Sequence, residues 1–417
     1  MTTGGREEVQ ERDDFIVSLN IDRTPDDICS AGQRRLVREL LAELRRVAED
    51  PRYAGIVREV IDPVTGSARR RAPRTALLQA RLAVEDYQLR RRREGRPLLM
   101  EETATQILLA SASPEIEYYE FTKTEESRYG ADWLWVWLDR SGVCFMMLVQ
   151  AKTLKVNNGR WSLDLGYRSG KGKRRQMDLL LESAEVFGVP FSYVIYAGDR
   201  QYRATLECSS PHNDGHCRDR DRAGVSWLAG LSAHNVMTML RPSEYAADAL
   251  HRSMPLEDML GTDKPLPPII DLNRKVLPHE VRDLLSNPEG QAQTIARMVF
   301  GQVSTIRMGQ FSAADTALMP LPEGSIVPEL PRDRGHLPLP YLPHVFGGLR
   351  SSAPTFVQDV MAGRTPPSWV TERLAGIVIV PDSEPEVRHH PPQLPAPSLQ
   401  LPPSTSANAA EEPRRVA

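Results

Sequence analysis

The sequence has few cysteines, few lysines and no long apolar segment. Its 417 residues include only four cysteines, which excludes a disulfide framework in a chain of this length and favours a reducing compartment. No apolar run is long enough to span a membrane. The N-terminal residues also lack the basic and apolar regions of a secretory signal. We therefore expect a cytoplasmic protein with no membrane partner.

A large excess of either charge is absent as well. The net charge is −3 and charged residues make up 26% of the chain, so a uniformly basic surface is excluded and any polyanion site must be local. Only seven of the 52 basic residues are lysines, and five of these lie between residues 123 and 173. Because an ammonium and a guanidinium are not interchangeable at a phosphate, this clustering marks a candidate site.

Composition and hydrophobic periodicity divide the chain into four regions. They are a helical N-terminal region (1–96), an α/β core (97–200), a mostly helical C-terminal region with proline-rich segments (201–380) and a disordered proline-rich tail (381–417). A helix predicted from about Arg74 ends in an arginine run, residues 90–93. This pattern favours a solvent-exposed helix face with cations near its C-terminus over a phosphate-binding patch.

The region 97–200 predicts a mixed sheet flanked by helices, an α/β (α+β) fold. In chain order we expect a helix over 98–112, strands over 117–121, 132–139 and 143–152, a helix over 174–187 and a strand over 191–197. Trp133, Trp135 and Trp137 alternate along one strand and share a face. Three tryptophans in this arrangement are more typical of a core than of a base-stacking surface.

Polar residues that suit phosphoryl chemistry lie at the ends of two of these strands. Gln150 and Lys152 end a nearly uncharged strand and point to the same face. The hairpin before them can bring Asp132 alongside, and the preceding helix offers Glu101 or Glu102. Carboxylate and amide oxygens are the ligands that Mg²⁺ prefers, and an ammonium can stabilise the charge that develops on a phosphate.

These residues and the αβββαβ order resemble the PD-(D/E)xK (restriction endonuclease-like) nuclease superfamily, in particular its Mrr-like variant with Gln-x-Lys. Residues 102–105 (ETAT), 130–133 (GADW) and 149–152 (VQAK) are similar to motifs of uncharacterised bacterial restriction-endonuclease-like proteins. The resemblance covers residues 97–200. It implies a restriction-endonuclease-like core with added helical regions and metal-dependent hydrolysis of nucleic acid, with DNA the expected substrate, in restriction or defence against foreign DNA.

The resemblance also implies a role for each matching residue. Asp132 would be the central ligand of Mg²⁺ or Mn²⁺, Gln150 and Glu102 would be further ligands, and Lys152 would position the attacking water and stabilise the phosphorus centre. Glu101 is the alternative to Glu102. Gln150 stands where most of the superfamily has an acid, and a neutral amide binds Mg²⁺ less well. The alternative function is therefore a catalytically weak or inactive, nuclease-derived nucleic-acid-binding or scaffold protein.

A basic loop precedes the second helix of this core. We expect Lys171, Lys173, Arg174, Arg175 and Gln176 to contact nucleic acid, because cations at a helix N-terminus oppose its dipole unless an anion joins them. A solvated helix start is the competing interpretation. The sequence leaves the oligomeric state open, with a homodimer among the alternatives.

A second motif offers soft metal ligands. Cys208, His212, His216 and Cys217 lie within ten residues and together could bind Zn²⁺. However, the loop is very short and the adjacent His216 and Cys217 point in different directions, and residues 213–215 (Asn-Asp-Gly) fit an ordinary turn. The favoured interpretation is a turn without zinc.

Overall fold

The computed structural model of the protein describes residues 71–96, 99–121, 133–157, 159–169, 174–207, 217–261, 269, 277–306, 317–333 and 335–382. These residues belong to one compact unit. The remaining residues, including those of the predicted tail from 383 onward, lie outside the described residues. No described helix is long and apolar enough to cross a membrane.

Fourteen strands are present in the described residues. In chain order they are β1 (Glu117–Glu120), β2 (Trp133–Leu138), β3 (Cys144–Thr153), β4 (Lys155–Asn157), β5 (Arg160–Ser162), β6 (Arg168–Ser169), β7 (Arg174–Arg175), β8 (Phe191–Tyr196), β9 (Val225–Ala229), β10 (Met254–Pro255), β11 (Leu318–Pro320), β12 (Glu329–Pro331), β13 (Leu349–Arg350) and β14 (Gly376–Pro381).

Twelve α-helices are described. They are α1 (Pro73–Arg93), α2 (Glu101–Ala112), α3 (Gln176–Phe187), α4 (Arg200–Thr205), α5 (Arg218–Arg222), α6 (Gly230–Met239), α7 (Tyr245–Arg252), α8 (His279–Ser286), α9 (Gly290–Ser304), α10 (Tyr341–Phe346), α11 (Thr355–Met361) and α12 (Ser368–Thr371). A short 3₁₀-helix spans Leu256–Leu260. Every element predicted between residues 98 and 197 is present, with ends that differ by a few residues, and the predicted α/β (α+β) class is confirmed.

An eight-stranded mixed sheet forms the centre of the molecule, with the order β1-β14-β2-β3-β8-β9-β10 and β13 paired with the start of β3. Strand β3 runs antiparallel to β2 and parallel to β8. With neighbours on both sides and helices on both faces, all ten of its residues are buried. The apolar run up to Val149 is explained by this central position.

The three tryptophans of β2 lie in the core, as predicted. Trp133, Trp135 and Trp137 are each less than a tenth exposed. The Trp137 ring lies 5.8 Å from that of Trp135 and 6.1 Å from that of Phe145, measured between centroids. Strand β2 is enclosed between β14 and β3, so these rings contribute packing and stability.

Residues 97–200 and 201–380 do not form separate domains. Strand β14 lies between β1 and β2, and β9 extends the sheet beyond β8. One hydrophobic core runs from Ala76 to Val380. Within the region predicted to be mostly helical, residues 225–239 form the strand β9 followed by α6. These short strands have too little surface to bury by themselves and are stabilised only by joining the central sheet.

Helices α2 and α3 cover opposite faces of the sheet near the ends of β3 and β8. The Tyr193 hydroxyl donates to the Met177 sulfur of α3 over 3.6 Å, whereas the Thr105 hydroxyl of α2 lies 2.9 Å from the Tyr196 hydroxyl. Residues paired across neighbouring strands point to the same face, and Gln150 pairs with Tyr193. Gln150 and Lys152 therefore face α3, and Ala151 faces α2.

Helix α1 was predicted to have a solvent-exposed, arginine-rich face, but one of its arginines is buried. Arg81 is only 4% exposed. It donates to Glu85 over 2.6 Å and to Glu257 over 3.0 Å. The exposed part of the arginine-rich surface is its C-terminal end, which includes Arg92 and Arg93. A buried ionic cluster thus attaches α1 to the 3₁₀-helix.

Candidate active site at the end of strand β3

Lys152 is a buried ammonium near the end of the central strand. Its side chain is 5% exposed, and its Nζ donates a 2.6 Å hydrogen bond to Oε1 of Gln176. Gln176 is the first residue of α3, so the strand end and the helix start are joined here. The sequence predicted Gln176 as a nucleic-acid contact, and in the structure its amide oxygen contacts the candidate catalytic lysine.

Glu101 reaches the same point from the opposite face of the sheet. As the first residue of α2, it occupies a position where the helix dipole favours a carboxylate. Its Oε2 lies 3.9 Å from Lys152 Nζ, and its Oε1 lies 3.9 Å from Lys155 Nζ. Oε1 also accepts the backbone N–H of Thr153 over 3.2 Å. Glu101 is thereby fixed beside both lysines.

Glu102 lines a neighbouring cavity of about 330 Å³. The other lining residues are Glu101, Thr105, Gln106, Glu120, Phe121, Trp133, Ala151 and Ala375. Of the two glutamates at the start of α2, Glu101 makes the recorded contact with Lys152, and Glu102 is exposed to the cavity. The three glutamates on this wall offer the hard oxygen donors that suit Mg²⁺.

Asp132, the predicted central ligand, directly precedes Trp133 in the chain and lies outside the described residues. Within the described ranges, no three acidic, histidine or cysteine side chains are grouped so that they alone could hold a metal ion. The described carboxylates fit a divalent metal in their chemistry, and a complete ligand set needs a further donor such as Asp132.

Gln150 is 1% exposed on the same face as Lys152. An ionised carboxylate at this depth would carry a large desolvation cost, which a neutral amide avoids. The structure thus gives a physical reason for an amide at this position.

Several other predicted residues cannot be located. Lys171, Lys173, Cys208, His212 and His216 lie outside the described residues. Arg174 and Arg175 are exposed immediately before α3, and Arg174 pairs with Glu182 of the same helix. Cys217 is buried.

Two residues close to this site had no role predicted from the sequence. Lys155 contacts Glu101, and the clustering of lysines was the signal that could have identified it. His234, on α6, is largely enclosed: burial lowers the pKa of its imidazole, the nearby His336 and Arg175 lower it further, and Asp178 opposes them. This imidazole is therefore neutral at pH 7, and no sequence pattern marked it.

The sequence was compared with known proteins. No curated protein matches it. Residues 75–386 match the model of a family described as "Family of unknown function (DUF6615)". The match covers well over half of the chain and includes every described site residue. The chain therefore belongs to the DUF6615 family, whose function is unknown.

Proposed function

We propose that this protein is a Mg²⁺- or Mn²⁺-dependent nuclease that hydrolyses phosphodiester bonds of nucleic acid, with DNA the favoured substrate. The observation that carries the proposal is the buried Lys152 ammonium beside Glu101 and Gln176 at the end of β3. Apart from the short strands β4–β7, the chain order α2-β1-β2-β3-α3-β8 around it supports the resemblance to the PD-(D/E)xK superfamily, while β14 separates β1 from β2 in the sheet.

Burial of Lys152 calls for a functional reason. Removing an ammonium from water costs several kcal/mol unless it is paired and hydrogen-bonded. Here its nearest recorded partner is a neutral amide, and the closest carboxylate oxygen is 3.9 Å away. An apolar residue would fill the same space without this cost. A positive charge kept in place by a neutral partner suits an anionic substrate such as a phosphate.

Each residue would have a definite task. Glu102, Asp132 and Gln150 would hold the divalent ion, with Glu101 the alternative to Glu102, and the ion would supply charge neutralisation at the phosphate and a more acidic water. Gln176 orients the Lys152 ammonium through its amide oxygen. Lys152 then donates to a phosphate oxygen and stabilises the charge that develops there. Restriction or defence against foreign DNA is the role that the resemblance suggests.

The test is a nuclease assay on plasmid, linear and single-stranded DNA and on RNA, with Mg²⁺ or Mn²⁺. Lys152→Ala, Lys152→Met and Asp132→Ala should each lower the rate by about 100-fold or more, since each removes a charge from the reacting centre. Arg364→Ala is the control, because Arg364 is 62% exposed and pairs with Asp359 on the surface. Wild-type rates in Lys152→Ala, with the fold intact by circular dichroism, would refute the proposal.

Gln150 favours the second candidate, a nucleic-acid-binding or scaffold protein derived from a nuclease. Its deeply buried amide is a weaker metal ligand than a carboxylate. This candidate predicts salt-dependent binding of nucleic acid without cleavage in the assay above. Cleavage that depends on Lys152 would exclude it.

A further inference from the structure

Two cavities continue from the candidate active site along helix α1. The first, of about 680 Å³, is lined by Arg92, Arg96, Glu101, Lys155 and Trp161 among others. The second, of about 500 Å³, is lined by Leu89, Arg93, Leu154, Trp161, Tyr196 and Arg200 among others. Both include Arg92, Trp161 and Asp199, so they form one groove, the α1 groove. Glu101 and Glu102 connect it to the cavity beside β3.

Exposed cations follow the α1 groove. The side chains of Arg92, Arg96, Arg200 and Lys155 are 50%, 63%, 65% and 51% exposed, respectively. They come from three separate segments of the chain: the end of α1, the start of α4 and β4. These cations alternate with the acids Asp86, Glu101 and Glu102 along the groove. Cations that come from three separate segments along one channel can contact successive phosphates of an elongated anionic partner.

The buried acids of the α1 groove already have basic partners. Glu85 is 4% exposed and lies 2.6 Å from Arg81 and 3.1 Å from Arg203. Asp199 is also 4% exposed, pairs with Arg92 and accepts the backbone N–H of Tyr202 over 2.7 Å. The charge of Glu85 is therefore compensated by two buried arginines, whereas Asp199 offsets Arg92, which is one of the exposed cations. The exposed cations Arg96, Arg200 and Lys155 remain along the edge of the groove.

An aromatic ring lies at the centre of the groove. Trp161, on β5, stacks on Tyr202 with the ring centroids 5.0 Å apart and the planes at 29°. Tyr202 is itself partly buried and covers one face of the Trp161 ring. Trp161 itself is only partly buried and borders both cavities. A supported aromatic ring among cations is the arrangement on which unpaired nucleobases stack.

We propose that the α1 groove binds single-stranded nucleic acid, with a base stacked on Trp161 and backbone phosphates on Arg92, Arg93, Arg96 and Lys155. The strand then leads toward Glu101, whose Oε2 lies 3.9 Å from Lys152 Nζ. A base inside a duplex is stacked on its neighbours and cannot lie on Trp161, which is why the groove favours single strands. The inference deepens the proposed function by naming the form of its substrate, but binding itself needs no cleavage.

The test measures fluorescence anisotropy of labelled single-stranded and duplex oligonucleotides with the full chain, in EDTA and at low salt. Trp161→Leu should weaken single-strand binding about tenfold, as expected from the loss of one base–aromatic stack. Trp369→Leu is the matched control, because Trp369 on α12 is 39% exposed and lies outside the groove. Intrinsic tryptophan fluorescence should be quenched by the oligonucleotide in wild type and much less in Trp161→Leu.

Two arginine variants give a second, independent measurement. Arg96→Ala should weaken binding and reduce the dependence of log Kd on log salt by about one. Arg364→Ala removes an equally exposed arginine that also has one acidic neighbour, and it should change neither value. Wild-type affinity in Trp161→Leu, or tighter binding of duplex than of single strand, would overturn the inference.

The same preparations separate this inference from the proposed function. Lys152→Ala should lose cleavage, and Trp161→Leu should still weaken the single-strand binding of this variant about tenfold in EDTA. If single strands bind through Trp161 but neither Mg²⁺ nor Mn²⁺ supports cleavage, the nuclease proposal is wrong and the proposal that the α1 groove binds single strands is supported. If cleavage occurs and Trp161→Leu does not change its rate, the proposal for the α1 groove is wrong and the nuclease proposal is supported.

Discussion

Lys152 at the end of β3 and Gln176 at the start of α3 are joined by a 2.6 Å hydrogen bond from Nζ to Oε1, although 24 residues separate them in the chain. The bond closes the site from the face that α3 covers. Glu101 approaches from the face that α2 covers. Groups on both sides of the sheet therefore orient the ammonium. Replacement of the group on each side leads to a separate prediction.

Replacement of Gln176 should alter the reaction more than the binding of substrate. Gln176→Ala leaves the ammonium without the acceptor that orients it, and a displacement of about 1 Å can lower a rate about 100-fold. We expect kcat to fall by this order while KM changes little. Gln176→Asn, with the same amide on a shorter side chain, should give an intermediate rate. A change in KM alone would assign Gln176 to substrate binding, as the sequence predicted.

The two glutamates of α2 should differ in effect. Glu101→Gln removes the charge nearest to Lys152 and should lower the rate of cleavage about 100-fold. Glu102→Gln should have the smaller effect, and if Glu102 is a metal ligand, a higher Mg²⁺ concentration should restore its rate. Initial rates measured across a Mg²⁺ titration, with EDTA as the blank, distinguish the two. A larger loss in Glu102→Gln would support the assignment favoured by the sequence.

Local sequence patterns predict some features of this fold and not others. The apolar run of β3 that ends in Gln150 and Lys152 predicts a buried strand opening into a site, because alternation and burial are local properties. The position of β14 between β1 and β2 depends on pairing between segments that are distant in the chain. No local sequence pattern predicts such pairing.

The same limit applies to single side chains. Arg81 and Arg90 belong to the same arginine-rich helix, yet Arg81 is buried because it meets Glu257, 176 residues away. Gln176 was predicted to contact nucleic acid, but its contact with Lys152 follows from the packing of α3 on the sheet. The sequence thus predicted the strand and the helix that meet here, and tertiary packing determines which of their side chains are in contact.

Loss of Arg81 should destabilise the fold strongly. Arg81→Ala leaves Glu85 and Glu257 buried with one fewer partner, and breaking a buried ion pair costs about 3–5 kcal/mol. Arg90→Ala is the matched control on the same helix, since Arg90 is 61% exposed and pairs with Asp86 over 3.2 Å. Its removal should cost about 0.2–1 kcal/mol. Urea unfolding of both variants measures the difference, and equal losses would contradict the buried cluster.

His344 on α10 should make the protein sensitive to acid. Its ring packs edge-on against Phe191, with 5.5 Å between the centroids, and burial lowers its pKa from 6.5 to about 3. Between these values the unfolded chain binds a proton that the folded chain does not, so stability falls as the pH falls from 6.5 toward 3. The slope from this one group is at most about 1.4 kcal/mol per pH unit.

The variant that tests this is His344→Gln, which stays neutral throughout the range. Its free energy of unfolding, measured by urea at several pH values between 7 and 4, should decline less steeply than that of wild type. His279→Gln is the control, because it removes an imidazole that is 75% exposed on α8, and it should keep the wild-type slope. If His344→Gln loses stability with falling pH as steeply as wild type does, the prediction is wrong. Protonation of groups other than His344 would then account for the acid sensitivity.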